Sequence, residues 1–375
     1  MEQIKARESE RSGRIDVLDG YRALAILAVM GFHYGVQWTP PASPINYYPY
    51  GSLFSSIPGL AFGGAGLELF FVISGFVIVM TLQRCVSFGD FVRRRVARLC
   101  PSMFFCVTLT AIILNTLGPS EWHVQPIDWI LSVLFIDPAA VGRLIDGPRA
   151  WVDGAYWSLS VEVRFYALAA IMFLLFRYRF LQAWLALQIL SFLLNWGEIR
   201  NVGWHFAIAH ALLLPKFLPY FTLGISLFYV HQDRKWNNWP IAGVALATTL
   251  IFVQGEQPLI AHIAIVLLFF LFITDNPIVR VFGRGLWVKL GRASFSLYLL
   301  HQLAGVVLIE KLSSIMPPVG ALVVVFIGMI GVSMLVFRYV EVPGKRYILD
   351  RTNDLVLAIQ HRAPWLSYQR ISSNR

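Results

Sequence analysis

Long apolar runs, separated by short basic segments, divide this chain from end to end. An α-helix needs about 20 residues to cross the ~30 Å hydrocarbon core of a bilayer. Runs close to that length are 156–176, 180–196, 207–230, 258–274 and 317–337. Apolar residues make up 57% of the 375 residues and charged residues 14%, which is too apolar for a soluble protein of this length. The sequence therefore predicts an all-α polytopic membrane protein, a bundle of transmembrane helices.

The basic residues predict the direction in which the helices cross. They cluster between the apolar runs, as in Arg84–Arg98 and Arg177–Arg179, and such segments stay in the cytoplasm. Placing every cluster inside gives about ten spans with both termini cytoplasmic. The same distribution accounts for the net charge of +10, so we expect no nucleic-acid partner. The predicted spans are 21–38, 60–81, 99–117, 156–176, 180–196, 207–230, 239–254, 258–274, 293–312 and 317–338.

One domain accounts for nearly the whole chain. We expect an integral membrane domain over 1–350, with an external segment at 118–155, and a basic cytoplasmic tail over 351–375. No small-residue cleavage site follows a short apolar core near the start of the sequence, so we expect the first span to be an uncleaved anchor. The three cysteines have no metal-ligand spacing and two of them lie beside a basic segment. We therefore expect no metal site and no disulfide.

Two ionisable residues, Arg22 and His33, lie eleven positions apart in the first apolar run. Eleven residues make almost three turns at about 3.6 residues per turn, so both side chains share one helix face, about 16 Å apart along the axis. Ionisable groups at membrane depth are costly and usually functional. We therefore interpret the pair as part of a site, with Arg22 near the cytoplasmic surface and His33 beyond the midplane.

Two carboxylates are predicted at the depth of His33, on other helices. The helical rise, counted from the ends of the spans, brings Glu68 and Glu162 to the level of the imidazole. A histidine beside carboxylates can act as a general base with orienting partners. The alternative is that His33 hydrogen-bonds a neighbouring helix and only stabilises the bundle. His301, about 12 Å into its span, either lines the same cavity or caps a helix contact.

Arg95 and Arg98 lie three positions apart, and therefore on one helix face, where the third span begins. Paired guanidinium groups at that place suit a phosphate-bearing ligand that arrives from the cytoplasm. Arg22 is predicted at the same level. The alternative for the whole basic segment is that it only determines topology, and for the neighbouring Arg93 and Arg94 we prefer that interpretation.

Six sequence blocks follow one another along residues 15–346. They read LDGYRALAILAVMGFH, GGAGLELFFVISGF, RRRVARLCP, AYWSLSVEVRFY, LGRASFSLYLLH and YVEVPGKR. In this order they resemble acyltransferase family 3, the bacterial membrane acyltransferases that O-acetylate surface glycans. The resemblance implies cytoplasmic acyl-CoA as the donor and a glycan or glycolipid acceptor reached from the outer side of the inner membrane.

The resemblance also implies roles for individual residues. Arg22 and His33 match an arginine and a histidine separated by ten residues in the first helix. Arg95 and Arg98 match an Arg-x-x-Arg motif. The acidic residue of the WSLxxE block corresponds to Glu162.

These expectations combine into one hypothesis. Acetyl-CoA places its phosphates at the three arginines, and His33 acts as general base on a sugar hydroxyl or is itself transiently acylated. Glu162, and secondarily Glu68, orients the imidazole. We assign three further residues to the acceptor side: His301, Trp157 and Ser158. Trp157 is also typical of a membrane interface, and Ser158 of helix packing.

The competing hypothesis is a proton-coupled transporter or flippase of a glycolipid or anionic solute. The same buried histidine and carboxylates would then form a proton relay. Such a protein would favour broken helices in two related halves, and the sequence shows no such repeat.

Overall fold

The structure, a computed structural model, describes residues 2–40, 42–43, 46–145, 147–196, 212–233 and 237–352. Within these ranges the chain is helical and contains no β-strand. The predicted tail from residue 353 onward and the first part of the predicted span 207–230 lie outside the described residues. The α-helices in chain order are α1 (Glu2–Gly35), α2 (Gly66–Arg84), α3 (Phe88–Leu117), α4 (Pro126–Val133), α5 (Pro138–Leu144), α6 (Trp157–Phe176), α7 (Phe180–Trp196), α8 (Leu218–Asp233), α9 (Asn238–Gln254), α10 (Leu259–Ile273), α11 (Gly285–Leu300), α12 (Leu303–Leu312), α13 (Pro318–Val336) and α14 (Val342–Arg351).

The described chain divides into two compact units. The first unit comprises the described residues within Met1–Leu67, Ala97–Ser160 and Pro277–Arg346. The second unit comprises the described residues within Glu68–Val96, Val161–Asn276 and Tyr347–Arg375.

Several helices are long and apolar enough to cross a membrane. In the part of the chain that the structure describes there are 4 such stretches, or up to 6 if two bent helix pairs are each counted as one span. An all-helical fold with membrane-capable helices is therefore confirmed for the described residues, whereas ten spans with cytoplasmic termini stay a prediction. The 4 stretches are Ala61–Arg84, Phe88–Leu117, Gly154–Leu194 and Pro318–Arg351.

Helix α3 begins at Phe88, well before the predicted span 99–117. The Ser87 hydroxyl accepts a hydrogen bond from the backbone N–H of Asp90 at 3.1 Å, which caps the first turn. The Asp90 carboxylate pairs with Arg94, one turn later, at 3.0 Å. The basic segment before the predicted span therefore forms the first turns of the same helix.

The predicted span 293–312 is wrong as one continuous helix. The chain instead forms α11 and α12, whose axes are bent by 77°. Gln302, in the break, has φ −73° and ψ −86°, outside the α-helical range. His301 closes the first of these helices, so the break occurs beside a predicted site residue.

Helices α1 and α11 approach each other very closely in the first unit. A Cβ atom added to Gly291 of α11 would lie 1.7 Å from the carbonyl oxygen of Asp19 in α1, and one added to Gly20 of α1 would lie 2.0 Å from that of Phe282, just before α11. Small residues allow such an approach between helices in a membrane. The contact packs α1, which carries His33, against the helix that leads to the break.

Helices α2 and α8 make the equivalent contact in the second unit. A Cβ atom added to Gly75 would lie 2.2 Å from the carbonyl oxygen of Phe221, and one added to Gly224 would lie 2.0 Å from that of Val72. The Phe221 ring stacks on Phe165 of α6, with centroids 3.8 Å apart. These contacts position α2 and α6, which carry the two predicted site carboxylates of this unit.

Candidate active site

Two histidines contact each other inside the first unit. Nδ1 of His33 lies 2.7 Å from Nε2 of His301, and the two ring planes are 9° apart. Both residues are buried, with 9% and 0% of their surface exposed. The structure therefore brings together two residues that the sequence predicted for the site separately.

The second ring nitrogen of His301 faces its own helix. Nδ1 lies 3.1 Å from the carbonyl oxygen of Leu297 and 3.0 Å from that of Tyr298. These two carbonyl groups belong to the last turn of α11, just before the break.

Tyrosine hydroxyls bond the carbonyl groups that the helix ends expose. Tyr34 donates to the carbonyl oxygen of His301 at 2.5 Å, and Tyr48 donates to that of His33 at 2.6 Å. Tyr50 donates to the carbonyl oxygen of Tyr34. Helix ends leave such carbonyl groups without partners in the helix. Burial raises the pKa of Tyr48 and Tyr50 above their ordinary values, so both hydroxyls stay protonated and able to donate.

Asp153 supports the other side of the break. Its carboxylate accepts hydrogen bonds from the backbone N–H of Leu303 at 2.8 Å and of Ala155 at 2.9 Å. Leu303 is the first residue of α12, so Asp153 caps this helix. Tyr156 donates to the carbonyl oxygen of Leu299 at 2.7 Å. Burial raises the pKa of Asp153 to about 6, against the two backbone hydrogen bonds, which lower it.

Ser158 and Trp157 begin α6 next to this cap. The Ser158 hydroxyl lies 2.7 Å from the Tyr298 hydroxyl and 3.1 Å from the carbonyl oxygen of Ala155. The Trp157 side chain is on the surface, with 39% of the residue exposed. Ser158 thus has internal partners, and the assignment of both residues to an acceptor stays a prediction.

Arg22 takes part in ion pairs on α1. Its guanidinium lies 2.8 Å from the Asp19 carboxylate, and Arg292 of α11 lies 3.4 Å from the same carboxylate. A donor phosphate at Arg22 would share the guanidinium group with Asp19.

Arg98, also in the first unit, interacts electrostatically with the buried Glu341. The Glu341 carboxylate accepts hydrogen bonds from Ser102 at 3.2 Å and Ser296 at 3.0 Å. Glu341 ends a short π-helical turn, Phe337–Glu341. Such turns often occur at functional sites.

Glu162 and Arg95 are linked through one tyrosine of the second unit. Glu162 accepts hydrogen bonds from the hydroxyls of Ser74 and Tyr166. The guanidinium of Arg95 lies over the Tyr166 ring, 5.0 Å from its centroid, and donates to Thr81 at 2.6 Å. Glu162, predicted to orient the imidazole, and Arg95, predicted to bind the donor phosphates, therefore share a neighbour.

Glu68 has a histidine partner that sequence reasoning missed. Oε2 of Glu68 lies 3.6 Å from Nε2 of His262, and the Tyr220 hydroxyl lies 3.0 Å from the same nitrogen. The Glu68 and His262 side chains are 10% and 2% exposed. The available signal was a histidine inside the apolar run 258–274. An orienting role of Glu68 or Glu162 toward His33 stays a prediction.

Comparison with known proteins points to one enzyme family. The acyltransferase 3 family, described as an acyltransferase domain, matches residues 15–338. The O-acetyltransferase OatA of Staphylococcus aureus is 24% identical over 338 residues, which cover 76% of this chain and 49% of OatA. The chain therefore spans about half the length of these curated relatives.

Shorter matches occur in two other proteins. An O-acetyl transferase of Shigella phage Sf6 is 26% identical over 155 residues, 39% of this chain and 42% of the phage protein. The regulator of hypoxia-inducible factor 1 of Caenorhabditis elegans is 34% identical over 131 residues, 31% of this chain and 26% of the worm protein. No solved structure matches the chain.

Proposed function

The chain belongs to the acyltransferase 3 family, and we propose that it is a membrane O-acetyltransferase acting on a surface polysaccharide, lipopolysaccharide or related glycan. The acetyl donor is cytoplasmic acetyl-CoA. Two relatives that are named as O-acetyltransferases support the activity. The apolar helices support a membrane location, which we take to be the inner membrane, with about ten spans and both termini in the cytoplasm.

The buried contact between His33 and His301 is the observation that carries this proposal. In the proposed reaction His33 takes the proton of a sugar hydroxyl while that oxygen attacks the carbonyl carbon of the thioester. A C–O bond forms and the C–S bond breaks. The sulfur then takes the proton from the His33 imidazolium, which releases CoA as the free thiol and restores the neutral ring.

The remaining predicted residues bind and orient the reactants. Arg22, Arg95 and Arg98 hold the donor phosphates, since guanidinium groups bind phosphate in a bidentate way. Arg22 and His33 are separated along α1 by about 16 Å. The extended pantetheine arm of acetyl-CoA spans this distance, from the phosphates at Arg22 to the thioester at His33. The carboxylates Glu162 and Glu68 stabilise the charged form of the imidazole. Trp157 and Ser158 stand on the acceptor side.

The experiment is a comparison of glycan masses. Cells that lack the gene are complemented with the wild type, with His33→Ala or with His123→Ala, which changes an exposed histidine in the loop after α3. We expect the wild type and His123→Ala to restore the acetyl group on the surface glycan and His33→Ala to leave it absent. Equal acetylation by His33→Ala, at an equal amount of protein in the membrane, would reject the proposal.

A proton-coupled transporter or flippase is the second candidate. The break between α11 and α12 is the observation that favours it, because transporters form their sites at discontinuous helices. Purified protein in detergent micelles separates the two candidates, since micelles have no second compartment. Acetyl transfer there supports the enzyme. Its absence, together with solute uptake into protein-containing vesicles, supports the transporter.

A further inference from the structure

We propose that His301 is a positioning residue that keeps the proton of His33 on Nδ1, so that Nε2 of His33 is the atom that takes the proton of the acceptor hydroxyl. The proposal rests on the proposed function and specifies its central proton transfer. All residues that carry it lie in the first unit.

Nδ1 of His301 faces two backbone carbonyl groups of its own helix. This nitrogen lies within 3.1 Å of the carbonyl oxygens of Leu297 and Tyr298. A carbonyl oxygen can only accept a hydrogen bond, so Nδ1 has to be the donor. In the neutral ring, the lone pair of His301 is then on Nε2.

The tautomer of His301 determines that of His33. Nε2 of His301 and Nδ1 of His33 are 2.7 Å apart, a hydrogen-bond distance. Because Nε2 of His301 accepts, Nδ1 of His33 carries the hydrogen. The lone pair of His33 is therefore on Nε2. His301 thus takes the orienting role that an aspartate has beside the histidine of a serine-hydrolase triad.

The backbone next to both rings is fixed as well. The Tyr48 hydroxyl bonds the carbonyl oxygen of His33, and the Tyr34 hydroxyl bonds that of His301. Asp153 caps the helix that begins after the break. The rings are nearly coplanar, with planes 9° apart. This support holds the nitrogen pair in its hydrogen bond without help from a ligand.

The arrangement has a direct consequence for the reaction. When Nε2 of His33 takes the hydroxyl proton, the ring becomes an imidazolium whose Nδ1–H donates to His301 in a charge-assisted, and therefore stronger, hydrogen bond. The thioester sulfur later takes the proton back from Nε2. Without His301, the proton of neutral His33 is free to reside on Nε2, where it blocks the transfer.

Replacement of His301 tests this role through rates. His301→Leu removes the acceptor, and we expect kcat for acetyl transfer to fall by about 10²- to 10⁴-fold, the range for removal of such an orienting group, with KM for acetyl-CoA unchanged. His301→Gln places an amide oxygen near the position of Nε2, so we expect a smaller fall in kcat. His231→Leu is the matched control, because His231 packs on Phe272 in the second unit and should keep the wild-type rate.

Nitrogen NMR of histidine-labelled protein tests the tautomer directly and needs no activity. The chain has 8 histidines, and the signals of His33 and His301 are assigned by their loss in His33→Gln and His301→Gln. We expect both rings to be neutral with hydrogen on Nδ1. A His33 ring protonated on Nε2, a charged His301, or a wild-type kcat in His301→Leu would overturn the proposal. A wild type that transfers no acetyl group rejects the proposed function instead, and the NMR result still decides the tautomer.

Discussion

At the scale of single residues, Asp153 shows how one side chain can determine the backbone beside the histidines. It is fully buried; Oδ2 accepts a hydrogen bond from the backbone N–H of Leu303 at the break after His301, and Oδ1 accepts one from the N–H of Ala155. Burial raises its pKa from the reference value of 3.8 to about 6. Between these two values the folded protein binds more protons than the unfolded chain, so this group lowers stability as the pH rises through that window.

This pKa difference predicts that the effect of Asp153→Asn on stability depends on pH, because the Asn side chain stays neutral at every pH. The carboxyl stabilises the wild type most below pH 3.8, and that contribution is lost as the pH rises through about 6. A pKa shift of this size changes the free energy of unfolding by about 3 kcal/mol at most. We expect Tm of the wild type, relative to that of Asp153→Asn, to decrease between about pH 4.5 and about pH 7.5. A difference in Tm that stays constant with pH would contradict the assignment.

The sequence predicted individual candidate residues but not their partners. His33 and Arg22 stood out as candidates because ionisable groups in an apolar run are rare. The contact of His33 with His301 joins residues 268 positions apart, and no local pattern encodes such a pairing. The partner of Glu68, His262, was missed for the same reason. The spacing of His262 from the other polar residues of the chain does not indicate that it contacts Glu68.

At the scale of helices, the break between α11 and α12 is the feature that the sequence could least predict. Pro and Gly are the usual signals for a helix end. The break instead occurs at His301 and Gln302. The break is stabilised by groups far away in the chain, namely the hydroxyls of Tyr34 and Tyr156 and the carboxylate of Asp153. Helix boundaries with local signals were predicted closely, as for α7, observed at Phe180–Trp196.

The close packing of α1 on α11 predicts opposite effects of two glycine replacements. Gly291→Ala forces a methyl group against the carbonyl oxygen of Asp19 and should lower the free energy of unfolding by about 1–3 kcal/mol. Gly328→Ala, in α13, meets no atom within 4 Å and should raise it by up to about 1 kcal/mol through helix propensity. Thermal unfolding in detergent measures both. An equal Tm for the two variants would contradict the observed contact.

At the scale of the whole molecule, composition predicted the class of fold and left the number of spans open. The apolar runs indicated membrane helices, and 4 to 6 membrane-capable spans are present in the described ranges. Helix α1 is not among them, since Asp19, Arg22 and His33 interrupt its apolar stretch. Polar residues within an apolar stretch thus weaken the signal by which a membrane helix is recognised.

The central claim is that the buried His33, positioned by His301, acts as the general base for acetyl transfer in this membrane protein. The most direct measurement is the initial rate at which purified protein in detergent moves radiolabelled acetyl from acetyl-CoA to surface glycan isolated from cells that lack the gene. We predict transfer by the wild type and by His123→Ala, and a rate at least about 10²-fold lower for His33→Ala, with unchanged binding of acetyl-CoA. Transfer by His33→Ala at the wild-type rate would contradict the account.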